Sequence, residues 1–277
     1  MSWIDLILNI VGLLLWLNWR AAAIPAVPAP GVGLASTLRP AGSARRRSFP
    51  LAGLALLLLG RAVFYWQVGP PVDWIARMPL GPTTLSFSSS FPGRILLFSI
   101  LSFAVTLGIF YLCLLLLSWV NSRMAGGEAA RGLIRAHLGR VDRWPNWMKS
   151  LLPLLVTAGL WCAIHPLLTG LGVAPQAGSV WRLVAQGAVI GLGSYLALKF
   201  LLVGLLALHI VNNYVYLGEF PFWKWVNATA RELLRPVKSL PLRAGKIDFA
   251  PIAAIAAVLV AAEIGQRGLT RLYEKLM

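Results

Sequence analysis

Residues 180–217 read VWRLVAQGAVIGLGSYLALKFLLVGLLALHIVNNYVYL, 38 residues in which only Arg182 and Lys199 carry a full charge. A soluble surface helix sets an apolar stripe against a polar face; this run is apolar all round. Wholly helical, it would be about 57 Å long at 1.5 Å per residue, well beyond a hydrocarbon core of about 30 Å. One of its ends is therefore expected in the interface or beyond it. Five further apolar stretches accompany it, at Trp3–Trp19, Pro50–Trp66, Ile95–Val120, Lys149–Leu171 and Phe249–Gly265. Each is close to the roughly 17–25 residues that a spanning helix needs. The pattern predicts an all-α, multi-pass transmembrane protein of about six spans, with four spans and two peripheral helices as the alternative.

Composition agrees. Of 277 residues 58% are hydrophobic and 12% charged, about half the ~25% charged residues usual in soluble domains. The mean hydropathy of +0.74 makes lipid the solvent for most of the chain. Disorder, collagen-like repeats and a disulfide-stapled secreted fold are excluded. Cys113 and Cys162 both lie in apolar runs, so no bridge framework and no paired-cysteine metal site is expected.

A net charge of +16 could indicate nucleic acid, so the location of the positive residues decides. The loops after spans one, three and five, with Lys149 at a span start, hold 17 of the 25 lysines and arginines. Arg77, Arg94, Arg267, Arg271 and Lys275 fall on the other side, while Arg61, Arg182 and Lys199 lie within spans. That asymmetry predicts basic loops inside and both termini outside. Anionic headgroups at the basic loops are the expected partners, with no nucleic acid. The first apolar run has Asp5 before it and Arg20 after it, the reverse of a secretory leader, so it reads as an uncleaved span.

Residues 1–94 read as a two-span extension with Pro- and Gly-rich linkers, 67–94 being an irregular loop. Residues 95–265 read as two parallel repeats of span, basic loop and span, at 95–171 and 180–265; residues 266–277 read as a short polar tail. The repeat rests on two matches. Leu133-Ile134-Arg135 recurs as Leu233-Leu234-Arg235, and Ser150 with Pro153 recurs as Asp248 with Pro251. In the second match a capping residue is followed three positions later by a proline tolerated in the first helical turn.

Between Phe222 and Val237 the apolar positions Phe222, Val226, Ala230, Leu233 and Val237 share one helical face. Lys224, Arg231, Arg235 and Lys238 share the other, with Asn227 between and Pro221 and Pro236 marking the ends. This predicts a basic amphipathic helix in the headgroup plane, anchored by Trp223 and Trp225. It serves either as a lipid anchor or as a docking surface for a partner.

Residues 233–241, Leu-Leu-Arg-Pro-Val-Lys-Ser-Leu-Pro, followed by Gly245-Lys246-Ile247-Asp248-Phe249-Ala250-Pro251-Ile252, resemble the motif of the YggT family of small integral membrane proteins. Phe220–Asn227 resembles the aromatic approach to that motif, and Leu117-Ser118-Trp119-Val120 the end of its preceding span. Ala250 stands where the family usually has Ser and Lys238 where it has Arg; the first unit lacks the Arg-Pro pair. The resemblance implies an assembly role. Chloroplast relatives are implicated in haem attachment to a b-type cytochrome and in thylakoid organisation; bacterial ones lie near cell-division genes or are linked to osmotic tolerance. On it, Arg231, Arg235, Pro236, Lys238, Pro241, Gly245, Asp248 and Pro251 become candidate partner-binding residues.

Chemistry is sparse. His137, His165 and His209 are scattered, and no metalloprotease, phosphate-loop or hydrolase motif is present. Neither catalysis, a metal nor a cofactor is expected. Lys199 is the candidate for a small ion or solute pathway. Arg61, near Trp66, is expected to snorkel to the interface. Asp5 and Asn9, one turn apart, could partner another helix or serve only as topogenic polarity. Gly187 and Gly191 in span five, and Ala250, Ala254, Ala257 and Ala261 in span six, would permit close helix contact. The leading expectation is a non-catalytic scaffold or assembly factor of a bacterial inner membrane, joined by a membrane-protein partner or a second copy of itself.

Overall fold

The computed structural model describes residues 3–23, 48–121, 128–215, 220–235, 243–244 and 247–277. Among these described residues six helices are long and apolar enough to cross a membrane. The chain is an integral membrane protein by that measure. It divides into two compact units, Met1–Met78 with Ser86–Leu107, and Pro79–Leu85 with Gly108–Met277.

In the first unit α1 (Trp3–Ala23) packs on α2 (Ser48–Val68). Each has 21 residues, roughly the 30 Å of a bilayer core. The N-terminal half of α3 (Pro92–Asn121) completes the unit. Leu54, Phe98 and Phe103 are buried there, while Ile4, Ile7 and Leu14 of α1 remain outward, as lipid-facing residues do. Gly12 lets α1 approach closely: a Cβ there would stand 2.9 Å from the Phe103 ring.

The stretch 67–94 is not irregular. It forms a hairpin of β1 (Ile75–Leu80) and β2 (Thr83–Ser88). Ala76, Met78, Leu85 and Phe87 alternate inward, the period of a strand buried on one face. Gly81, at φ 55°, opens the two-residue turn, where hairpins favour glycine. The turn docks within the second unit: Gln266 Nε2 donates to Gly81 O at 2.7 Å and Thr270 Oγ1 to Pro82 O at 3.2 Å. Gly193 accommodates it, since a Cβ there would meet Pro82 Cδ at 2.6 Å.

The second unit holds α4 (Glu128–Leu138), α5 (Asn146–Gly170), α6 (Val180–Ser194), α7 (Leu198–Tyr214), α8 (Pro221–Leu233) and α9 (Ala250–Glu274). The 38-residue run is thus interrupted by a 3-10 turn at Tyr195–Ala197. The cause is local: Ser194 Oγ donates back to Gly191 O at 2.7 Å, and Gly/Ser pairs are where helices bend. As the glycine spacing predicts, α6 lies close on α5. A Cβ on Gly187 would be 3.1 Å from Ala158 O, and one on Gly191 2.8 Å from Leu154 O.

Both expected caps are corrected. Helix α5 begins at Asn146 with Pro145 as its cap residue, leaving Ser150 inside, where its hydroxyl donates to Asn146 O. Helix α9 begins at Ala250, and the cap position belongs to Phe249, which makes no side-chain cap bond. Asp248 instead sits in a two-residue antiparallel ladder, β3 (Arg243–Ala244) with β4 (Ile247–Asp248), opposite Arg243. In α9 the buried small residues are Ala250, Ala254 and Ala262, whereas Ala257 and Ala261 are exposed. The tail expected at 266–277 continues the helix as far as Glu274.

Candidate functional site

The amphipathic helix is α8. Phe220 caps it in extended conformation and Pro221 fills its first turn, where a missing N–H breaks no helical bond. Val226, Thr229 and Ala230 are its buried residues. Ala230 and Leu234 pack with Leu206 of α7 and Ala254 of α9. The middle of the apolar face therefore rests on protein. Among the described residues of that face the N-terminal end is more open, Phe222 being 52% exposed. Asn227 Oδ1 lies 2.8 Å from Nδ1 of His209, which ties α8 to α7 with the imidazole nitrogen as donor.

The basic face points outward. Lys224, Arg231 and Arg235 are exposed. Arg235 stands 3.8 Å from Glu232, a loose surface pair that holds the guanidinium only weakly. Pro251 is buried in the first turn of α9. Pro236, Lys238, Pro241 and Gly245 lie outside the described residues.

Lys199 is not buried. It is partly exposed at the start of α7, its ammonium 5.2 Å from the Phe200 ring centroid, a cation–π arrangement. Among the described residues the deeply buried cations are two others. Lys149, 5% exposed, donates to Ser118 Oγ at 2.8 Å, and Ser118 donates to Asp142 Oδ1 at 2.6 Å. Asp142 also faces Arg135 of α4 at 3.5 Å. A serine beside a lysine can be a nucleophile and its base. Here Lys149 donates to Ser118 and Ser118 to a carboxylate, which links the α3 end, the α4–α5 connection and α5.

The other cation is Arg61, and it does not snorkel. Its side chain has 0% exposure and that of Asp5 4%. Arg61 Nη2 donates to Asp5 Oδ1 at 2.7 Å and to Ser102 Oγ at 3.2 Å, and Nη1 donates to Asn9 Oδ1 at 2.9 Å. Asn9 Nδ2 donates to Ser102 Oγ at 3.0 Å and Tyr65 Oη to Asp5 Oδ1 at 2.8 Å. The Phe98 ring covers the guanidinium, 4.9 Å from centroid to Cζ. Three helices thus close a charge-neutral cluster. Asp5 and Asn9 do partner another helix, as their spacing suggested. The sequence signal for Arg61 was outweighed by its nearness to Trp66, which made an interfacial reading attractive.

No protein-family model matches the chain, and neither does any curated protein or any solved structure.

Proposed function

We propose that the chain is a non-catalytic scaffold or assembly factor of a bacterial inner membrane, with the outward basic face of α8 and the motif after it as its partner surface. The observation that carries this is the seating of α8. Buried by Val226 and Ala230 and tied through Asn227, the helix presents Lys224, Arg231 and Arg235 as a fixed platform. A lipid anchor alone needs no such seat, because its apolar face would lie in the bilayer.

The YggT resemblance adds the same class of role; termini outside and basic loops inside belong to the proposal through the split of basic residues between the loops. Two parallel repeats are part of the proposal, supported by α4, whose Ile134 and Leu138 pack on Leu114 and Leu115 much as α8 packs on its neighbours. Anionic lipids and a membrane-protein partner, or a second copy, are the proposed occupants. The non-catalytic reading is supported by the satisfied, buried Ser118. The competing reading, a small ion or solute pathway, has less support now that Lys199 is at a partly exposed position.

Lipid attraction of about 1 kcal/mol per basic residue hardly separates Arg from Lys, whereas bidentate binding of a carboxylate or phosphate needs the planar guanidinium. Arg235→Lys should therefore reduce recovery of co-purifying protein at least several-fold in mild detergent while membrane yield is unchanged, and Lys238→Arg should not. Equal recovery for wild type and Arg235→Lys, together with measurable solute flux in liposomes, would overturn the scaffold in favour of the pathway.

A further inference from the structure

Helix α2 carries an arginine about two turns inside its C-terminal end. Guanidinium does not lose its proton in proteins, and a lone one in hydrocarbon is strongly disfavoured. In the folded unit Arg61 is nevertheless the most enclosed cation described, with its side chain fully covered. Its compensation comes chiefly from another helix: Asp5 supplies the charge and Asn9 a second acceptor, both from α1. Tyr65, one turn beyond Arg61 on α2, holds the same carboxylate oxygen. The lipid-facing residues of α1, among them Ile4, Ile7, Val11 and Leu14, are apolar, so the charges of both helices are turned inward together.

We infer that α1 and α2 are an obligate pair in the membrane, α1 acting as the intramolecular counter-ion that keeps α2 across it. Apolar length alone does not hold α2 in place; Asp5 does. Removing the carboxylate would leave α2 with a buried charge whose remedy is to slide toward the interface or leave the bilayer. Removing both charges would restore a span that is simply apolar.

The test uses the full chain freed of cysteine by Cys113→Ala and Cys162→Ala, with one reporter, Ile75→Cys, at an exposed position of β1. A membrane-impermeant thiol reagent, applied to each face of oriented vesicles, reads the side on which residue 75 lies. The reference chain should label from a single face. Adding Asp5→Leu should lower that single-face fraction at least two-fold, and adding Arg61→Leu to it should restore most of the loss. Either of two results overturns the inference. One is labelling of the Asp5→Leu chain like the reference. The other is a double variant as impaired as Asp5→Leu alone, which would mean that packing at residue 5, and not the uncompensated guanidinium, caused the loss.

Discussion

Asp5 and Arg61 are not equivalent halves of their ion pair. A carboxyl group left without its partner can take a proton and become neutral, whereas a guanidinium cannot. Breaking a buried pair from one side typically costs about 3–5 kcal/mol, while replacing both members by apolar groups is often neutral. Arg61→Leu should therefore destabilise the purified protein less than Asp5→Leu, and the double variant least, as read by thermal unfolding in detergent. The opposite order of the two single variants would contradict this account. Glycines allow a second comparison at the same scale. A Cβ on Gly191 would press on the Leu154 carbonyl at 2.8 Å, whereas one on Gly204 meets nothing within 4 Å. Gly191→Ala should lower stability by about 1–3 kcal/mol, as overpacking does, and Gly204→Ala should be neutral or add roughly 0.5–1 kcal/mol through helix propensity. Melting shifts of the same sign and size for both would refute the close α5–α6 approach. Of these residues, Gly187 and Gly191 were legible because small-residue spacing is a local pattern. The Arg61 cluster was only half legible: Asp5 and Asn9 announce a polar stripe on α1, but which face of α2 meets that stripe is fixed by packing that one helix's sequence does not encode.

Helices with a strong period, or a long unbroken apolar run, were readable from sequence at the element scale. The start of helix α8 was placed to within a residue because Pro221 opens it and apolar and basic positions alternate at helical spacing, whereas its end at Leu233 comes before the Pro236–Val237 limit the pattern suggested. Its support was not readable, since an apolar face looks alike whether it meets lipid or protein. The hairpin at Ile75–Ser88 was missed for a different reason: its strands carry Pro79, Ser86 and Ser88 and lie among prolines and glycines that suggest irregular chain. The alternation Ala76, Met78 and Leu85, Phe87 was the available signal. The caps failed because a matched Ser and Asp at similar offsets say nothing about where each helix begins. A prediction follows for α8. Ala230 has no exposed surface and packs with Leu206 and Ala254, so there is no room for three further carbons. Ala230→Leu should cost about 1–3 kcal/mol and loosen α8 from its seat, raising hydrogen exchange across Pro221–Leu233 well above wild type. Phe222→Leu, at the open end, should leave that exchange unchanged. Unaltered protection in Ala230→Leu would mean that α8 lies on the membrane and not on α7 and α9.

The arrangement of charge across the whole molecule makes the final prediction. A single crossing by each of the six long apolar helices would put 17 of the 25 lysines and arginines on one side, and such an excess in short loops orients a chain with those loops in the cytoplasm. The two buried clusters sharpen the count. Arg61 is neutralised by Asp5, and Lys149 is linked through Ser118 to Asp142, so neither offers a free charge to the inserting machinery once its partner is present. Arg140, Arg143, Arg231 and Arg235, in contrast, are exposed and remain available to anionic headgroups. Setting Lys149 aside leaves the bias in the same direction, because the remaining basic residues of the three loops still far outnumber the five opposite. Reporter fusions after Gly42, Gly126 and Gly245 should therefore be cytoplasmic, and one after Pro175 exported. The fusion after Gly126 is the decisive one, since it follows α3 and lies within the basic connection leading to α4. An exported reporter at that position would reverse the orientation of the second unit. It would also put the basic face of α8 on the outer side, where a cytoplasmic partner could not reach it.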